Sequence, residues 1–248
     1  MMLRFLNAAL PLALALAIAA CSNVRLAPSG GEGPPPGDIR WSCGPPPGFA
    51  PGLLDQPARA ETESHPSAAA LRSALAGDGP GSDLVPKSYW LLSRDEKIAE
   101  YFARGPGGGE GDWWSLTIQN RHGDWKLAGV GPCQLRGVLG ELGQARWILD
   151  PDLPRPGAEA TTFTALVTEM TCTGGQAMGP RLMPPSVVYG EDSVLVVFAA
   201  RPLGGDGAFD CPSNPSTRVV VELREPLGDR HLLDAGVFPP AEPVAPES

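Results

Sequence analysis

The chain has 248 residues, with 19 Lys and Arg against 28 Asp and Glu, and a formal net charge of −9. An acidic chain is repelled by nucleic acid and by anionic headgroups, and no basic stripe overrides that charge, so nucleic acid is excluded as a partner. Gly (31) and Pro (29) are abundant, but a hydrophobic fraction of 42% is enough to build a core, so the chain is read as folded with long loops.

The first twenty residues carry one cation, Arg4, then an apolar run from Ala8 to Ala20. A positive start, an apolar stretch and small residues before a cut are the layout of a signal peptide. The run is too short to span a bilayer core, which needs roughly 20 apolar residues. Ile18-Ala19-Ala20-Cys21 follows, an aliphatic residue and two small ones before Cys. This resembles the lipobox of bacterial lipoproteins. The resemblance implies that Cys21 receives a diacylglyceryl group and becomes the mature N-terminus, with the membrane as partner through acyl chains that stabilise by about 0.8 kcal/mol per buried CH₂. Arg4 is the only charge ahead of Cys21, so removing it takes the net charge from −9 to −10. Ser22 follows the Cys and leaves the choice between inner and outer membrane open.

Residues 21–40 are read as a flexible Gly/Pro-rich stalk, on the strength of Ser29-Gly30-Gly31-Glu32-Gly33-Pro34-Pro35-Pro36-Gly37. Four cysteines remain past the anchor: Cys43, Cys133, Cys172 and Cys211. An even number in an exported chain reads as two disulfides. Three connectivities are open; Cys43–Cys133 with Cys172–Cys211 is favoured because each half of the chain then has its own closed loop. No C-x-x-C pair is present and the three His lie far from the cysteines, so neither a metal site nor a cofactor is expected.

The expected fold class is α+β and mostly antiparallel β: a small helix and a four-stranded meander in 41–140, then an all-β, sandwich-like unit in 141–238, and a disordered tail over 239–248. Pro66 to Ala76 is the helix, with Pro66 suited to a first helical position, Leu71 and Leu75 on one face, and Gly77 to end it. Four runs of strand type follow, Ser88–Leu92, Lys97–Ala103, Trp113–Asn120 and Trp125–Val130, separated by turn residues. Alternation puts Trp114, Leu116 and Ile118 on one face. The Gly-rich stretch 137–143 is taken as the boundary. Strands are then expected at Gln144–Leu149, Thr161–Met170, Ser186–Tyr189, Ser193–Ala200, Thr217–Leu223 and His231–Ala235, with Val194 to Phe198 too continuously apolar for anything but a central strand.

Chemistry is harder to find. No G-x-S-x-G, H-E-x-x-H, Walker or EF-hand pattern occurs, and no catalytic residue is assigned. Asp229-Arg230-His231 with Asp234 is the densest titratable cluster, but it lacks a nucleophile and reads as a turn entering a strand. Glu110/Asp112 and Asp150/Asp152 supply too few oxygens for Ca²⁺ and read as solvated loop charge. Tyr89-Trp90 and Trp113-Trp114 put neighbouring aromatics on opposite faces of a strand, so one of each pair is a candidate binding surface for an envelope protein or a glycan. The whole pattern resembles lipoproteins of GC-rich bacteria: lipobox, Gly/Pro stalk, paired cysteines, β-rich body. The expectation is a lipid-anchored, extracytoplasmic, non-enzymatic binding or scaffolding module of the cell envelope. An envelope hydrolase and a solute-binding lipoprotein are the alternatives.

Overall fold

The structure, a computed structural model, describes residues 24–26, 39–43, 48–54, 63–77, 89–105, 112–204 and 213–243. Cys21, Cys211 and the tail from 244 lie outside the described residues. The fold is mostly antiparallel β with one helix, as expected.

The helix, α1, runs Pro66–Ala76. Pro66 sits in its first turn, where a missing N–H is harmless. His65 caps it: its Nδ1 accepts from the Ser67 backbone N–H at 3.2 Å. Ala68, Leu71 and Leu75 are buried and define the face α1 lays on the sheet.

The first seven strands, in chain order, are β1 Val24–Leu26, β2 Arg40–Ser42, β3 Tyr89–Arg94, β4 Ile98–Arg104, β5 Trp113–Arg121, β6 Asp124–Cys133 and β7 Leu135–Val138. Of these, β3-β4-β5-β6 is the expected antiparallel meander. Alternation divides its side chains. Ala99, Tyr101, Leu116 and Ile118 go to the helix side, with Trp114, Trp125 and Leu127 at the margin. The Tyr101 hydroxyl is satisfied there by Ser67 Oγ at 2.7 Å. Trp90, Phe102 and Trp113 go to the other side.

That second face is also covered. The remaining strands are β8 Gly143–Leu149, β9 Thr162–Glu169, β10 Ser186–Tyr189, β11 Ser193–Ala200, β12 Thr217–Glu222, β13 His231–Asp234 and β14 Val237–Phe238. A three-stranded sheet in the order β14-β7-β2 brings together residues from the start, middle and end of the chain. Ile39, Trp41, Phe49 and Leu135 from this region pack on Phe102, which stacks on Phe49 (centroids 4.9 Å) and on Trp90 (5.2 Å). The Cys43–Cys133 disulfide joins the end of β2 to the end of β6 across 90 residues. Cross-linking so long a loop stabilises by roughly 4–5 kcal/mol in the chain-entropy account.

The expected boundary at 137–143 therefore does not separate two sheets cleanly: Leu135–Val138 is a strand, and its neighbour β14 comes from beyond residue 230. The short strands were invisible in the sequence because two to four residues carry no periodicity of their own.

The second body is one seven-stranded sheet, β1-β12-β9-β8-β11-β10 with β13 also on β11. β11 is central, as its apolar run predicts. Its first half pairs with β10 on one side and β13 on the other, and its last residues pair with β8. Its strands share one core that includes Trp147, Phe163, Val167, Val196, Phe198 and Val219. The fold brings Tyr189, at the end of β10, against Arg224, just past β12: the Arg224 N–H donates to the Tyr189 hydroxyl at 2.7 Å and its guanidinium lies over the ring at 4.3 Å. Within the predicted stalk, Val24–Leu26 pairs in parallel with β12, with Val24 opposite Val219. That segment is part of the sheet.

Phe102 is fully buried between three rings. Phe102→Ala is expected to lower unfolding stability by about 3–5 kcal/mol, read as a shifted urea midpoint at unchanged m-value.

Candidate functional site

The aromatic pairs do not form a surface. Tyr89, Trp90 and Trp113 are 2%, 8% and 2% exposed, and Trp114 is half-buried against the helix core. This corrects the expected binding patch. Alternation does send the neighbours to opposite faces, but α1 covers one face and the β14-β7-β2 sheet the other. Trp113 is sealed further by the Arg104 guanidinium, 4.6 Å from its ring centroid. Among the cysteines, Cys43–Cys133 is formed and Cys172 is disulfide-bonded; its expected partner Cys211 is outside the described residues.

Several charged groups are internal fasteners. Asp150 is buried and ion-paired with Arg218, whose Nη2 donates to Asp150 Oδ1 at 3.2 Å and to Asp152 Oδ2 at 3.1 Å. The pair read as solvated loop charge instead anchors a cation from β12. Glu169, also buried, takes both guanidinium nitrogens of Arg181, with Nη1 at 2.9 Å, and Arg181 also donates to the Arg201 carbonyl at 2.7 Å. The bond to Glu169 raises the Arg181 pKa above its ordinary value. Asn214 ties the same corner by donating to the Glu169 and Thr171 carbonyls at 2.9 and 2.6 Å. Glu110 lies outside the described residues. Among the described residues no three His, Cys, Asp or Glu side chains converge.

The cluster Asp229-Arg230-His231-Asp234 is dispersed. Gly228 takes a φ of 65° to make the turn. Asp229 is exposed in that turn. Arg230 folds back, donating to the Leu227 carbonyl at 2.8 Å and to Glu225 at 2.6 Å. Along β13, His231 points to solvent and Leu232 inward.

His231 nevertheless belongs to a cleft of about 180 Å³. Its floor is Leu149, Leu227 and Leu232, its rim Arg155, His231 and Glu242. Arg155 and Glu242 lie 4.0 Å apart, both largely exposed. Arg230 closes one wall but its guanidinium is committed to the turn. Small-molecule sites usually enclose about 300–1,000 Å³; this cleft suits one apolar or amphipathic side chain with a charged end. Sequence reasoning missed it because its walls come from the loop after β8, the turn before β13 and the segment after β14.

Asp234 sits behind that region, buried, where β13 leads into β14. Burial pushes its carboxyl from an ordinary 3.8 up to about 6, against the Gly236 N–H, which donates to it at 2.8 Å, and the charge of Arg136. The Trp147 indole N–H also favours the charged form without completing a well-formed hydrogen bond. Burial in turn pulls Arg136 below its ordinary value, opposed by Asp234 and reinforced by Arg146.

No family model, curated protein or solved structure matches the chain.

Because the folded Asp234 holds its proton more tightly than the unfolded chain does, stability falls as pH rises from about 4 to 6, and the penalty persists above that range. Asp234→Asn keeps an acceptor for Gly236. Relative to the parent, it should gain up to about 3 kcal/mol of unfolding stability between pH 4 and pH 7.5, measured by urea midpoints at the two pH values. A constant difference between the two proteins would show that Asp234 is not titrating in this way.

Proposed function

We propose that this chain is a lipid-anchored, extracytoplasmic protein that serves the cell envelope as a non-enzymatic binding or scaffolding module. The observation that carries the reading is Ile18-Ala19-Ala20-Cys21 at the end of an apolar leader. One feature of the body supports it. Disulfides at Cys43–Cys133 and at Cys172 suit an oxidising compartment outside the cytoplasm. In this reading the acyl chains on Cys21 supply the hold on the membrane; among the described residues no helix is long and apolar enough to cross one.

The binding role rests on the cleft. Its size fits an anchoring side chain from a protein partner, and its paired rim charges, Arg155 and Glu242, can each accept a new partner at little loss, because an exposed pair contributes only about 0–1 kcal/mol. The internal ion pairs, by contrast, are occupied in holding the fold.

The test is the intact mass of the protein extracted from its native membrane, before and after reduction. Expected is the mass of residues 21–248 plus diacylglyceryl, rising on reduction by the hydrogens of two disulfides, with Cys21→Ser released from the membrane fraction. An uncut, lipid-free chain would overturn the reading.

A further inference from the structure

The first strand begins almost at the anchor. Only Ser22 and Asn23 separate Cys21 from Val24. Three residue steps span at most about 11 Å, whereas a free stalk from 21 to 40 would let the body wander several times as far. The leash is short because Val24–Leu26 is hydrogen-bonded along β12, in parallel and in register with Val219–Val221.

Direction then follows from topology. β1 and β12 both start at one end of the seven-stranded sheet. β9 runs antiparallel to β12, so it finishes there, at Glu169; β8 starts there, at Gly143, and β11 finishes there, at Ala200. The opposite end holds the finish of β8, the start of β9 and the turns after β12, which build the cleft floor of Leu149 and Leu227.

The two ends each carry one conspicuously exposed apolar side chain. Met170, 40% exposed, follows β9 at the end where β1 starts, and Leu153, 48% exposed, lies in the loop after β8 at the other. Arg201 and Glu141, of opposite charge, are both exposed at the Met170 end.

We propose that β1 docks the body on the bilayer in one orientation, with the Met170 end resting on lipid and the cleft facing away from the membrane. The partner at the Met170 end is the lipid surface itself. This rests on the anchoring reading above: a lipid on Cys21, held within three residue steps of the β1–β12 edge, cannot reach the bilayer unless that end of the sheet does too. The cleft is thereby presented outward, where a protein partner can reach it.

The experiment uses the full lipidated protein reconstituted in vesicles whose lipids carry acyl-chain quenchers. An environment-sensitive fluorophore is attached through Met170→Cys in one sample and Leu153→Cys in another. Both sites are exposed, where substitutions rarely change stability by more than about 0.5 kcal/mol. The expected result is blue-shifted emission at position 170, quenched at least twofold more strongly than at 153. A third protein carries a ten-residue Gly/Ser insertion between Asn23 and Val24 together with the label at 170, and its quenching should fall to the level seen at 153. Equal quenching at the two positions, or quenching at 170 that survives the insertion, would overturn the proposal while leaving the anchor intact. A chain that does not float with the vesicles, and whose mass shows no lipid, would overturn the anchoring reading and this orientation together.

Discussion

Residues from the start, middle and end of the described chain meet in the β14-β7-β2 sheet, and the placement of everything else depends on that meeting. The sheet is short, so its stability comes from what it covers: Phe102, Trp90 and Trp113 on the underside of the meander. Its close packing restricts composition. A Cβ on Gly137 would come within 2.7 Å of Ile39 Cγ2, and Gly48 turns the chain at a φ of 61° so that Phe49 can pair with Trp41. The Cys43–Cys133 bond then locks the same corner by chain connectivity.

That sheet also decides where charge is buried. β14 reaches β7 only by passing Asp234, and β7 contributes Arg136 from the strand itself. The carboxyl is taken into a poorly solvated junction with one backbone donor and one partly buried cation, a setting that favours its neutral form. Elsewhere the buried carboxylates Asp150 and Glu169 each have a guanidinium directly on them. Such pairs add little net stability, but removing one partner leaves an uncompensated charge and is strongly destabilising. The long cationic arms of Arg218 on β12 and of Arg181 in the loop before β10 thus serve the interior, while Arg155 at the cleft rim stays exposed.

The sequence spoke most clearly where structure is local. α1 has matching bounds because Pro66, Leu71, Leu75 and Gly77 act within one helix, and β10 and β11 were readable from contiguous apolar runs around a Gly190-Glu191-Asp192 turn. Strands β1, β2, β7 and β14 are two to four residues long and are strands only because distant partners make them so. Missing them had one direct consequence: without β2 and β7 nothing was available to cover the second face of the meander, and Trp90 and Trp113 looked free to bind. The Asp150–Arg218 pair, 68 residues apart, and the cleft, assembled from three segments, were illegible for the same reason.

A body held together through one shared sheet should move and unfold as a unit, which is also what lets a strand beside the anchor orient a cleft at the far end. Scanning calorimetry of the disulfide-intact chain from residue 22 onward tests this most directly. One transition is expected, with calorimetric and van't Hoff enthalpies in agreement. Two resolved transitions, one for the α1 meander and one for the seven-stranded sheet, would contradict it.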